Sequence, residues 1–273
     1  MTAGRLAGVS SEDTQEIRPD SPSRHETSAR DTAPQFVLPL VVRIEKTAPP
    51  TRTDALETAA RAVLAVLADE RSTGDGEWAQ AVRDWHDGRI RKVVRRARGA
   101  EWRKAGTLPG ITLTGPRTGT HAEAEAGAEA GAGAPGAAEV RVFPPVPLDG
   151  WPRELAKLQV SGTELEDPRP PAAPDRAHPV LWLSPTLSMS AGKAMAQAGH
   201  GAQLAWLRLS EAQREAWRES GFALSVRTAD TADWRALTAS GLPVVRDAGF
   251  TEIAPGKTLV VEGVDRIRSL RRP

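Results

Sequence analysis

The sequence predicts an α/β chain made of two related α/β domains, each a small mixed sheet flanked by helices. Three observations support this. Short β-branched runs alternate with alanine-rich stretches of helical period. Residues 84–113 and 216–245 repeat one another. Residues 188–206, SMSAGKAMAQAGHGAQLAW, read as a helix whose apolar face holds almost nothing larger than alanine. A face that small lets a helix lie very close to a sheet.

The first 34 residues are polar and charged and are predicted to be disordered. FVLPLVVRIEK (36–46) reads as a strand, with Pro39 at its start or on an edge. Asp54 is read as the cap of a helix running to about 70, with Leu56, Ala60, Val63 and Leu67 inward. A helix from Glu77 to Trp85 follows. RIRKVVRR (89–96) reads as a strand with Ile90, Val93 and Val94 inward, and a short helix covers 101–105. Residues 117–139 are a low-complexity Ala/Gly/Glu insert that cannot bury a core. VRVF (140–143) resumes as a strand, and 152–160 reads as a helix. The first unit therefore spans 35–166, and a proline-rich linker spans 167–178.

The second unit, 179–273, repeats the scheme. Strands are expected at 179–184, 222–227, 243–246 and 258–262, and helices at 190–208, 211–219 and about 231–239. A basic tail, DRIRSLRRP, closes the chain. Trp85 and Trp102 are 17 residues apart, as are Trp217 and Trp234. Arg103 and Arg235 each follow the second Trp, and Leu108-Pro109 answers Leu242-Pro243. This repetition reads as a duplication, and the tryptophan spacing favours core positions for all four rings. Aligned on the Leu-Pro pair, Leu113 stands opposite Asp247.

Composition narrows the function. Net charge is +1, so there is no overall electrostatic case for nucleic acid. The absence of cysteine excludes disulfide, thiolate and Cys-based zinc chemistry. The histidines show no metal-ligand spacing, and no metal or cofactor is expected. No apolar run is long enough to span a membrane, and the first residues lack a secretory h-region. A cytoplasmic protein is the expectation.

The helix at 190–208 has two faces. Ala191, Met195, Ala198, Ala202 and Ala205 recur at steps of four and three, as do Lys193, Gln197 and His200. Ser190 is a suitable N-cap. A lysine in the first turn is unfavourable against the helix dipole, so Lys193 points to a function.

This stretch, taken with RDAGFTEIAPGKTLVVEGV (246–264), resembles the type-II (archaeal and eukaryotic-type) peptidyl-tRNA hydrolases. Gly192, Lys193, Ala196, Gln197 and His200 match the family's first motif. Asp247, Ala248, Gly249, Thr251, Ile253, Pro255 and Gly256 match the second. The resemblance covers roughly the last third of the chain. It implies catalytic roles for Lys193, Asp247 and Thr251, with Gln197 and His200 toward the substrate. It also implies a homodimer of single domains, so a fused duplicate is expected to form an intramolecular pseudo-dimer. The expected partner is peptidyl-tRNA. Phosphate contacts are expected from Arg95 and Arg96, within the basic run 89–98, or from arginines of the tail. The first unit has no Gly-Lys pair, Gln or His on its helix and is expected to be structural or RNA-docking.

The chain also departs from the family. Ser184 and Thr186 stand where an Arg and an Asp are usual, and Phe250 where a basic residue is usual. A second family threonine aligns near Leu259, and Thr258 lies one residue early. A shift of one turns a strand side chain to the other face, so Thr258 is not expected to take that role. The alternative reading is a catalytically inactive RNA- or protein-binding derivative.

Overall fold

A computed structural model describes residues 34–115, 135–249 and 251–267. The N-terminal segment expected to be disordered, most of the low-complexity insert, Phe250 and the basic tail past Ile267 lie outside the described residues.

The first sheet holds β1 (Phe36–Arg43), β2 (Arg91–Ala97), β3 (Ile111–Thr114) and β4 (Glu139–Val142), with a short β5 (Val146–Pro147). Its order is β2-β1-β4-β3, with β5 beside β1. The second sheet holds β6 (Val180–Leu183), β7 (Ser225–Thr228), β8 (Val244–Asp247) and β9 (Gly256–Glu262), in the order β7-β6-β9-β8. In each, the first strand runs parallel to the second and antiparallel to the last, and the remaining pair is antiparallel. Among the described residues the fold is α/β, with seven α-helices and two mixed sheets. The helices are α1 (Arg52–Ala68), α2 (Ala79–Asp87), α3 (Gly99–Gly106), α4 (Arg153–Ala156), α5 (Ala191–Leu207), α6 (Glu211–Glu219) and α7 (Thr231–Ala239).

The two long helices, α1 and α5, pack on each other between the sheets. The small residues of α5 make this approach possible. One apolar core joins Leu38, Leu40 and Val42 of β1, both helices, and Leu181 and Leu183 of β6. The outer faces carry smaller clusters. Val41 packs with Ala97, Phe143 and Leu155 beside Trp102. Val180 and Trp182 pack beside Trp234. Trp85 and Trp217 are fully buried, whereas Trp102 and Trp234 are only partly covered.

Four local readings change. In β2 the residues turned toward the helices are Lys92 and Val94, not Val93, because side chains alternate along a strand, and Ala97, of the opposite parity, packs in the outer cluster. Thr51, not Asp54, caps α1, its hydroxyl accepting from the Asp54 amide at 3.2 Å. The helix expected over 152–160 stops at Ala156, and the chain beyond it pairs with β2 through Arg96 N and Gln159 O at 2.9 Å. The proline-rich stretch is strapped across both halves. Glu166 O accepts from Arg52 N, Asp167 accepts from the amide and hydroxyl of Thr53, and Ala172 O accepts from Arg227.

The strand ladders also revise one correspondence. Val42 pairs with Arg96 and Leu183 with Thr228, so Val42 and Leu183 are equivalent. Following the ladders outward, Leu113 matches Val245, and the counterpart of Asp247 is Gly115. The Leu-Pro pairs misled by two residues, because the turns that precede the two strands differ in length.

Candidate active site

Ser190 opens α5, and its hydroxyl accepts from the Lys193 amide at 3.1 Å. That closes the first turn and fixes Lys193 at the helix start. The Lys193 ammonium lies 2.6 Å from Asp247 Oδ2 at the end of β8. It also donates to Thr251 Oγ1 at 2.9 Å. The Lys193 and Asp247 side chains are only 12% and 11% exposed, so this ion pair is screened far less than a surface pair. The structure brings together these three residues from two separate motifs.

One turn along α5, Gln197 donates to Asp247 Oδ2 at 2.8 Å. The Gly249 amide donates to Asp247 Oδ1 at 2.8 Å, an Asx turn that aims the carboxylate. Gly249 sits at φ +78°, and a Cβ there would fall 2.5 Å from Pro255 Cδ. Only glycine fits both constraints. The carboxylate thus has three fixed donors, with lone-pair room left on Oδ1.

Thr258 completes the support. It donates to Gln197 Oε1 at 2.7 Å from a fully buried position. The face-flipping argument fails here because β8 and β9 shift register. Val245 pairs with Leu259 but Arg246 pairs with Lys257, leaving Thr258 as the extra residue of a bulge. A bulge re-aims a side chain, and Thr258 turns toward α5. Register breaks of this kind have no pattern in the sequence. Glu252, which bonds Ser190, carried no signal either.

The remaining candidates go elsewhere. His200 lies on the same stripe but faces the first half, with Nδ1 3.0 Å from Lys92 Nζ. Lys92 also donates to Gln203 Oε1 at 2.5 Å, and Gln203 meets His86 Nε2 at 3.2 Å. Burial holds Lys92 well below the usual lysine range. Burial, helped by Lys92 and Lys193, holds His200 well below the histidine range. Gln197 spends its amide on Asp247 and Thr258.

Arg95 and Arg96 are bonded within the first half. Arg95 donates to Leu158 O at 2.5 Å and stacks on Trp151, and Arg96 donates to Ser161 O at 2.9 Å and to Gln159. Among the described contacts neither touches Lys193, Asp247 or Thr251. Ser184 and Thr186 bond each other, hydroxyl to hydroxyl, at 3.1 Å.

The first half carries no copy of the cluster. Thr51 and Ser190 are equivalent caps, so Asp54 stands for Lys193 and Thr58 for Gln197. With Gly115 in place of Asp247, neither the cation nor the carboxylate is kept at its own position. A cleft of about 400 Å³ opens beside the start of α1, lined in part by Arg52, Asp167, Trp182 and Arg227. Arg52 reaches from it to Met189 O, just ahead of α5, at 3.4 Å.

No described cluster of acidic or histidine side chains is arranged to hold a metal ion. No described helix is long and apolar enough to cross a membrane. A carboxylate, an ammonium and a hydroxyl held within one hydrogen-bonded group can orient a water and stabilise developing negative charge. No family model matches the chain, and no curated protein matches it.

Proposed function

We propose that the chain is a peptidyl-tRNA hydrolase, cleaving the ester between a peptide and the 3′-terminal ribose of tRNA. The observation that carries this reading is the meeting of Lys193, Asp247 and Thr251 at the N-terminal end of α5. The three residues come from the two motifs that carry the resemblance.

In this scheme Asp247 orients a water through Oδ1 and takes its proton as oxygen attacks the ester carbon. Lys193 and the Thr251 hydroxyl offset the charge that grows on the carbonyl oxygen. The ester C–O bond then breaks, the peptide leaves as its acid, and the ribose oxygen takes up the proton. No cofactor enters the scheme. The two halves act as an intramolecular pseudo-dimer, with α1 and α5 at its centre and chemistry in the second half alone.

One observation favours a second reading, a non-catalytic RNA- or protein-binding derivative. Ser184 and Thr186 replace a charged pair by two hydroxyls that satisfy each other. Release of peptide from a defined peptidyl-tRNA, measured beside tRNA binding, separates the two. Hydrolysis supports the enzyme, and binding without hydrolysis supports the derivative.

A further inference from the structure

Thr251 is carried by the turn between β8 and β9, whose described residues are neither helix nor strand. Its neighbour Glu252 is one of two described non-glycine residues with positive φ, at +49°. An L residue with a side chain rarely holds that conformation without support. The support is visible. Glu252 Oε2 accepts from the Ser190 amide at 3.1 Å, and Oε1 accepts from the Ser190 hydroxyl at 2.9 Å. The Ser190 hydroxyl has one proton and gives it to Glu252, so a lone pair is left for the Lys193 amide.

We propose that Glu252 is a positioning residue: one carboxylate ties the turn that carries Thr251 to the cap that orients Lys193. Release of this catch frees Glu252 to leave the left-handed region, and the turn carries Thr251 off the Lys193 ammonium. Glu252 touches neither Lys193 Nζ nor Asp247 in the described contacts, so it acts through its neighbours. It is exposed, and its removal leaves the core intact.

This inference rests on the hydrolase reading for its kinetic arm only. The test compares the full-length protein with Glu252→Ala, Glu252→Gln and Ser190→Ala. On peptidyl-tRNA, Glu252→Ala lowers kcat about tenfold with KM little changed. Glu252→Gln keeps a side-chain acceptor for the Ser190 hydroxyl and recovers part of the loss. Thr251→Val adds little on top of Glu252→Ala, because both remove the same contact. Amide hydrogen exchange supplies the independent arm. Glu252→Ala raises exchange at 190–193 and 251–254 and leaves β6 unchanged. Unchanged exchange in those segments overturns the proposal, as does a kcat loss fully additive with Thr251→Val. A wild-type protein that releases no peptide defeats the hydrolase reading, and the exchange arm still decides the catch.

Discussion

Trp85 and Trp217 make the same hydrogen bond in the two halves. Trp85 Nε1 donates to Arg91 O at 2.8 Å, and Trp217 Nε1 donates to Ala223 O at 2.9 Å. Each ring is fully buried and ties its helix to a carbonyl six residues on, at the start of β2 for Trp85 and two residues ahead of β7 for Trp217. The repeated spacing in the sequence is thus the trace of a repeated contact. Trp85→Phe and Trp217→Phe each lose this bond and some packing. Each is expected to destabilise by about 2–4 kcal/mol, read from urea unfolding. A variant with unchanged stability contradicts the equivalence.

The contact between halves is tight at Gly199. A Cβ there would lie 2.8 Å from Val63 Cγ2 and 3.2 Å from Lys92 Cδ. Val63 belongs to α1, so the methyl would push the two long helices apart. Gly199→Ala is expected to cost about 1–3 kcal/mol even though alanine favours helix. Stabilisation by this substitution would show that the helices are not so closely packed.

The polar group at that contact predicts a pH dependence. Lys92 and His200 are pushed below their ordinary values by burial, and His86 is lowered by burial and by Lys92. Asp87 opposes the last shift, and Lys193 is the other charge facing His200. The unfolded chain binds more protons at these sites wherever pH lies above the folded and below the unfolded values. Stability therefore rises with pH through that window, which reaches about 10.5 for the lysine and 6.5 for the histidines. It falls as these groups must charge. Between pH 6 and 9, where carboxylates are already ionised, the slope should be at most about 1.4 kcal/mol per pH unit per proton. Thermal unfolding of Lys92→Met should show a flatter profile and a higher melting point at pH 6. A slope unchanged by the substitution contradicts the assignment.

Thr258 is expected to matter although it never meets substrate. Thr258→Val keeps the volume and removes the donor to Gln197. Gln197 then has no fixed orientation toward Asp247. A stability cost of about 1 kcal/mol and a kcat loss of roughly tenfold are expected, with KM little changed. Wild-type turnover in Thr258→Val would remove the bulge from the account.

Most of the fold was legible from the sequence, and the reason is periodicity. Helix α6 and helix α7 fall on their expected residues, because their caps, Ser210 and Asp230, sit directly before amphipathic runs. The meeting of Lys193 with Asp247 was legible only through motif order, since they are 54 positions apart. What stayed hidden depends on tertiary pairing. Lys92 sits in a basic run expected to contact phosphates, yet its place in the strand turns it inward against α5. Thr258 needed a bulge, Glu252 needed a turn, and the strap at 166–172 needed partners on α1 and β7. None of these leaves a local mark in the chain.

In the proposed hydrolysis Asp247 and Lys193 act together on an ester. This is tested most directly by single-turnover release of peptide from peptidyl-tRNA by the parent protein and by Asp247→Asn. The substitution keeps the shape and removes the carboxylate. Peptide release should fall roughly 10²–10³-fold, with tRNA binding little altered. An Asp247→Asn protein that releases peptide at the parent rate would contradict the account.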